Sequence, residues 1–235
     1  MALPIVEISD REISTEFSSE YSDLREKLLK YFAGLTQFLM WPFAFLFFKF
    51  FFKLKMNGIE NIRKTPSPFI VISNHVSFYD SFVFRLVMSF FARNLPLRFM
   101  AVNSFKSWYL NFLSTIFVTD VIYALFGVLV VVRGRGINKN LVDAIRIIKN
   151  GGNVVVYPEG SIMQSDVIAD FKLGAAVLAK KTNATVIPVA MKIFGNSLRK
   201  NFIINVGECV SYDSSQTPEK ISDLFRNTID NLYKK

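Results

Sequence analysis

The sequence contains one histidine, His75, in the run Asn74-His75-Val76-Ser77-Phe78-Tyr79-Asp80. An imidazole changes charge near neutral pH and can accept a proton from a substrate hydroxyl. A carboxylate bonded to one ring nitrogen keeps that nitrogen protonated and leaves the other free to act as base. His75 and Asp80 are five residues apart. On a regular helix that spacing turns the two side chains about 140° apart, so they could not meet. They can meet if His75 lies in a loop and Asp80 in the first turn of the helix that follows. The same residues also fit a capping box, with Ser77 at the N-cap, Asp80 at N3 and His75 as an ordinary loop residue. Spacing alone leaves both readings open.

Other chemistries find little support. No Gly-x-Ser-x-Gly elbow is present, which argues against a serine hydrolase. Cys209 is the single cysteine and has no second histidine to activate it, so it reads as a core or structural thiol. One histidine and one cysteine make no transition-metal cluster, so no metal site is expected. Neither a nucleotide-type glycine loop nor a nucleic-acid module is recognisable.

The composition indicates where such chemistry would take place. The chain has 235 residues, of which 51% are hydrophobic and 15% aromatic, with 25 Phe and a mean hydropathy of +0.31. Such a chain can fill a core and still leave apolar surface for lipid. Net charge is +9, yet Glu7, Asp10, Glu12, Glu16, Glu20, Asp23 and Glu26 crowd the start against only Arg11 and Arg25. The body is therefore strongly basic and expects an anionic partner, either nucleic acid or anionic lipid headgroups. Clustering of the Phe residues favours lipid over stacked bases. The acidic N-terminus lacks the basic start of a secretory signal, and a lone cysteine allows no intrachain disulfide, which together suggest the cytoplasmic face of a membrane.

Residues 31–52 (YFAGLTQFLMWPFAFLFFKFFF) carry one charge, Lys49, and are long enough to span a bilayer. Pro42 falls within this run, and basic residues flank both ends. That arrangement favours a membrane-associated helical hairpin dipped into one leaflet, with a single spanning helix or a buried core helix as alternatives. Three regions are expected: a polar acidic arm over 1–23, a membrane-associated helical segment over 24–56, and an α/β domain over 57–235.

Within 57–235, short apolar runs alternate with helical patterns. Strands are expected at Phe69–Ser73, Leu97–Val102, Gly127–Val132, Asn153–Tyr157, Ala184–Ala190 and Asn201–Val206. Helices are expected at about Phe78–Arg93, Ser104–Phe117, Asn138–Lys149 and Lys172–Thr182, with a last one opened by Thr217-Pro218. The pattern predicts an α/β fold, a mostly parallel sheet sandwiched by helices. In such sheets ligands sit at the loops that follow strand C-termini, which here include the loops after Ser73 and Tyr157.

Taken together, the motifs resemble the 1-acylglycerol-3-phosphate acyltransferase family. Asn74-His75-Val76-Ser77-Phe78-Tyr79-Asp80 is similar to its N-H-x4-D signature. Gly127–Arg133 (GVLVVVR) resembles the second block, Val156–Ser161 (VYPEGS) the third and Val186–Ala190 (VIPVA) the fourth. Phe171-Lys172-Leu173-Gly174 resembles the family's Phe-Lys-x-Gly segment. H-x4-D alone is weak; these blocks in order over roughly residues 55–210 are specific.

The resemblance implies transfer of a fatty acyl group from acyl-CoA or acyl-ACP to the sn-2 hydroxyl of a lysophosphatidate, giving phosphatidic acid for phospholipid synthesis. His75 would be the base and Asp80 its partner, and no cofactor beyond the acyl co-substrate is implied. Backbone N–H groups near the dyad or at the Glu159-Gly160 turn would hold the oxyanion. Arg133, Arg135 and Lys172 would bind the acceptor phosphate, with Asn74, Glu159, Gly160 and Ser161 completing the substrate site; Glu159 would either orient the acceptor or anchor its loop through backbone N–H groups. Two departures weaken the acceptor assignment. Ile162 stands where the family's third block usually has Arg, and Val132 where many members have Asp or Asn. Glycerol 3-phosphate, a head-group lysophospholipid or an acyl-amino-acid lipid are alternative acceptors, and a catalytically silent lipid-binding protein is the alternative of another class.

Overall fold

The structure, a computed structural model, describes residues 10–77, 80–88, 95–102, 123, 125–162, 166–195 and 199–235. The expected helix at 104–117 lies outside these residues, as do the ends of the one expected at 78–93.

The apolar segment forms one continuous helix, α1 (Asp10–Phe51), with Pro42 inside it. This corrects the expected hairpin. A reversal needs turn residues between its arms, and Pro42 has only Trp41 and Phe43 beside it. Proline removes one helical hydrogen bond without forcing the chain back. One face of α1 meets the domain through Ala33, Gln37, Ala44 and Phe48, all buried. Gln37 pins it there. Its amide donates to the carbonyl of Leu97 at 2.7 Å and accepts from the Leu97 N–H at 3.1 Å. Arg85 Nε donates to the Gln37 carbonyl at 2.6 Å, and burial pulls that guanidinium down to about 10. At the other end, Arg199 Nη2 donates to the carbonyls of Lys49 and Phe52, filling acceptors that the helix terminus leaves open.

The chain then enters β1 (Phe52–Asn57) and α2 (Ile59–Lys64), neither of which the sequence reading anticipated. Phe52, Leu54 and Met56 point inward and Lys53 and Lys55 outward, a period-2 pattern hidden at the end of the Phe-rich run. β1 is an edge strand, and its lysines discourage pairing with another chain. The α/β elements follow: β2 (Phe69–Ser73), α3 (Asp80–Val87), β3 (Leu97–Val102), β4 (Val128–Val131), α4 (Ile137–Lys149) and β5 (Asn153–Val156). Then come α5 (Gly174–Thr182), β6 (Thr185–Phe194), β7 (Lys200–Val206) and α6 (Pro218–Tyr233). Thr217 caps α6 by accepting from the Lys220 N–H.

Among the described residues seven strands form one sheet in the order β1-β7-β6-β2-β5-β3-β4. Every pairing is parallel except β6 with β7. The sheet is therefore mostly parallel and has helices on both faces, as expected. On one face Ile70, Ile72, Val154 and Val186 pack under α4, α5 and α6, through Leu141, Leu178 and Phe225. On the other, Phe69, Val71, Val155 and Ile187 pack under α1 and α3, through Phe48, Val83 and Phe84. All five residues of β2 are buried, which explains the unbroken FIVIS run and fixes the strand that delivers His75. Cys209 is not a core thiol. It is exposed in the loop after β7, with its sulfur 3.6 Å from the Thr65 hydroxyl.

Candidate active site

The parallel register brings two loops side by side. Ile72 of β2 pairs with Val156 of β5, so the chain leaving Ser73 lies against the chain leaving Tyr157. His75 sits in the first loop and Asp80 at the start of α3. His75 Nδ1 is 2.7 Å from Asp80 Oδ2. The same oxygen accepts the N–H groups of Val76 at 2.8 Å and Ser77 at 3.1 Å, and Oδ1 accepts the Ser77 hydroxyl at 2.6 Å. The two sequence readings of this run thus coexist. Asp80 reaches back to Ser77 as in a capping box and holds the imidazole as well.

Asp80 only accepts in this network, so the tautomer that fits it has Nδ1 donating and Nε2 keeping its lone pair. Asp80 is buried, and His75 retains 23% side-chain exposure. The imidazole lies flat on the Tyr157 ring, with centroids 4.3 Å apart and planes at 20°. Burial, followed by the Asp80 charge, pushes the Tyr157 phenol well above its usual range, so it stays neutral. Tyr157 thus acts as an uncharged wall that fixes the ring plane. The motif match did not single it out; its place opposite Ser73 in the register is the signal.

Glu159 is also buried. Its carboxylate accepts the His75 N–H at 3.1 Å and the Ala169 N–H at 3.2 Å. Burial raises its pKa, against the opposing pull of those two N–H groups and of His75. Both oxygens are occupied by backbone, which fits the loop-anchoring role of the two expected for Glu159. For Asn74 the expected substrate contact is corrected. This side chain is fully buried, donates to the Met191 carbonyl at 2.8 Å and accepts the Met191 N–H at 2.7 Å. Its amide continues the sheet pairing from β2 to β6 one residue past the end of β2.

Four of the expected oxyanion donors are committed elsewhere. The His75 N–H bonds Glu159, those of Val76 and Ser77 bond Asp80, and that of Gly160 bonds the Tyr157 carbonyl at 3.0 Å. Gly160 has φ +70°, and a Cβ there would lie 2.4 Å from Lys172 Nζ. The positive φ favours glycine at this turn, and without a Cβ the flexible lysine can lie across it. Lys172, exposed, thereby brings a cation to the Pro158–Ser161 turn, whose Ser161 is also exposed.

The residues of the second block lie further off. Val71, Val155, Phe99 and Val128 stand in one row across four parallel strands. His75 is four residues beyond that row and Arg133 five, so both lie at the same edge. Three strand spacings separate their strands, about 14 Å. Arg133 and Arg135 are exposed in the loop after β4. Asn140 of α4 clamps that loop, accepting the Val132 N–H at 3.0 Å and donating to its carbonyl at 2.9 Å. This support was not anticipated from the motifs. The structure thus joins His75, Asp80 and Glu159 in one network and Gly160 with Lys172, and leaves the two arginines as a separate cationic lip. Among the described residues no group of acids, His or Cys could hold a metal ion.

The family model for acyltransferases matches residues 53–192, the stretch from β1 through most of β6. The chain belongs to the acyltransferase family. Curated relatives include a chloroplastic 1-acyl-sn-glycerol-3-phosphate acyltransferase of Arabidopsis thaliana, 27% identical over 146 residues, covering 60% of this chain and 36% of the relative. Another is the 1-acyl-sn-glycerol-3-phosphate acyltransferase of Borreliella burgdorferi, 27% identical over 157 residues, covering 66% of this chain and 57% of the relative. The similarity thus spans less than two thirds of either relative's length. The fold also matches the crystal structure of the 1-acyl-sn-glycerophosphate (LPA) acyltransferase PlsC from Thermotoga maritima. The TM-score is 0.57 at 19% identity, covering 92% of this chain and 83% of that one. In this member of the family the matched region contains the dyad, the Glu159 anchor and both cationic features.

Proposed function

We propose that this protein transfers a fatty acyl group from acyl-CoA or acyl-ACP to the sn-2 hydroxyl of 1-acylglycerol-3-phosphate at the cytoplasmic face of a membrane. The observation that carries the reading is the 2.7 Å contact from His75 Nδ1 to Asp80, which leaves Nε2 as the free base. In the reaction Nε2 takes the acceptor hydroxyl proton as that oxygen attacks the thioester carbonyl carbon. Asp80 stabilises the imidazolium. The tetrahedral intermediate collapses, the carbon–sulfur bond breaks, and the imidazolium returns its proton to the departing thiolate. No acyl-enzyme is needed. Lys172 is the cation nearest the Glu159-Gly160 turn that can face developing negative charge. Arg133 and Arg135, both exposed in the loop after β4, hold the acceptor phosphate in this reading, which Arg forks suit.

The outer face of α1 supports contact with lipid. Residues Lys27–Phe51 are long and apolar enough to cross a membrane by length and composition. Yet Gln37 and Phe48 bind the helix to the domain while Phe43, Leu46 and Phe50 stay exposed. A helix held along the domain in this way favours lying in one leaflet over crossing it.

A second reading keeps the chemistry and changes the acceptor, because Ile162 removes a cation from the third block. A panel assay separates the possibilities. Labelled acyl-CoA or acyl-ACP is offered with lysophosphatidate, glycerol 3-phosphate, head-group lysophospholipids and an acyl-amino-acid lipid, beside a His75→Ala variant. Product from lysophosphatidate that the variant fails to make is the expected result. Product from another acceptor selects the second reading. No product from any pair leaves a silent lipid-binding protein.

A further inference from the structure

The mechanism above leaves one cleft unused. It opens where α6 ends against the β6–β7 hairpin and has a volume of about 390 Å³. Ala190 pairs with Asn205 and Lys192 with Ile203, so these four residues face the same side of the hairpin and floor the cleft. Asn205 builds this corner, accepting from the Asn57 amide at 2.7 Å and donating to the Leu232 carbonyl at 2.8 Å, which fixes the last turn of α6. Tyr233 forms the wall, and Lys192 Nζ lies 4.8 Å above its ring centre.

The cleft is apolar inside and cationic at its rim. Phe194, Ile203 and Tyr233 line it, and Lys192, Lys234 and Lys235 contribute the charge, with no Asp or Glu side chain among the described lining residues. Lys234 is partly neutralised by Asp230 at 2.5 Å. Lys192 faces an aromatic ring instead of an acid, which leaves its charge available to an anion. The cleft is linked to the active site along two routes. The Met191 backbone, between Ala190 and Lys192 on the floor, is what Asn74 clamps, next to His75. Tyr233 donates to Asp166 at 3.3 Å and feels the charge of Glu159, the residue that holds the His75 N–H.

We propose that this cleft receives the phosphopantetheine arm of the thioester donor; the inference rests on the acyl-transfer reading. Acyl transfer needs two substrates to converge on Nε2 from different directions. In the sheet order, β2 stands between β6 and β5. The Arg133 lip lies on the β5–β4 side, toward which the acceptor phosphate is directed. The cleft lies on the β6–β7 side, and its lining suits a pantetheine arm: Phe194, Ile203 and Tyr233 can pack its methylene and gem-dimethyl groups, Asn205 and open backbone can meet its amides and hydroxyl, and the lysine rim its phosphate. That arm is common to acyl-CoA and to acyl carrier protein, so the chemistry of the cleft is the same for both sources.

The test compares the full chain with a Lys192→Gln/Lys235→Gln variant, with Lys192→Arg as a charge-retaining control and thermal melts to verify folding. For acyl-CoA the variant should raise the donor KM about tenfold and leave kcat and the acceptor KM within about twofold, with the arginine control near wild type. A donor thioester without phosphate, an S-acyl-N-acetylcysteamine, should show no such change. An effect on acyl-CoA and acyl-ACP alike identifies the shared arm, and an effect on one alone identifies the source. An unchanged KM for both donors overturns the proposal. If no donor turns over, the acyl-transfer reading fails, and binding of free coenzyme A and of phosphopantetheine to wild type and variant is read by calorimetry. Binding that weakens about tenfold in the variant sustains the site, and binding that is absent or unchanged removes it.

Discussion

Glu159 Oε2 accepts the backbone N–H of His75 at 3.1 Å, so a carboxylate from the loop after β5 fixes the main chain of the residue that would do chemistry after β2. His75 is held at two points, its backbone by Glu159 and its ring by Asp80. The two acids share one histidine and divide the work of orienting it.

The Glu159 anchor has a pH signature. Burial lifts its carboxyl above the usual value of 4.5. Between that value and the native one, the folded protein holds a proton that the unfolded chain has released, so stability falls as pH rises through the window. Glu159→Gln cannot titrate. Urea denaturation of both proteins from about pH 4 to about pH 8 should show wild type losing stability relative to the variant as pH rises. A difference independent of pH would exclude burial of the charge as the cause.

The dyad predicts a loss confined to turnover. His75→Ala should lower kcat by about 10²- to 10⁴-fold, the usual range for a positioned general base, with the melting temperature little changed. Asp80→Asn should be nearly as severe. It retains the shape but offers one oxygen where three N–H donors and a hydroxyl now converge. Steady-state rates with lysophosphatidate as acceptor check both, and wild-type rates in either variant would reassign the base.

Asn74→Ala separates anchoring from binding. The amide closes two bonds to Met191, and its loss leaves buried backbone groups unsatisfied. Destabilisation of about 1–3 kcal/mol is expected by urea denaturation. Because the side chain touches β6 and not the open edge, the acceptor KM should move little in protein that remains folded; a large KM change at full stability would return Asn74 to the substrate site.

The cationic lip predicts a split by acceptor charge. Arg133→Ala should raise the KM of a phosphate-bearing acceptor about tenfold and leave an uncharged lipid alcohol unaffected. Equal effects on both acceptors would remove Arg133 from phosphate binding.

The two faces of α1 should respond in opposite ways. Phe48 is buried against β1 and Phe202, so Phe48→Ala should cost about 3–5 kcal/mol of stability. Phe43→Asp and Phe50→Asp, on the exposed face, should leave the melt near wild type and cut partitioning into anionic vesicles. Labels placed before and after the segment in vesicles should react from the same side, and opposite-side labelling would establish a span.

The sequence by itself determined the elements whose signals are local. FIVIS declares a strand buried on both faces, Thr217-Pro218 a helix start, and the alternation from residue 57 a mostly parallel sheet. The spacing of His75 and Asp80 already required a loop-to-helix junction for the two to meet. Tertiary structure decided whatever depends on a partner distant in sequence. Phe52–Asn57 is a strand only because β7 lies beside it. The apolar segment is one docked helix because Gln37 finds Leu97. Asn74 resembles a substrate residue in a motif, yet its amide is spent on Met191, and of the two roles open to Glu159 the fold of Ala169 against it favours the anchor. A residue type fixes which bonds a side chain can make; only packing fixes whether backbone, and not substrate, is what those bonds reach.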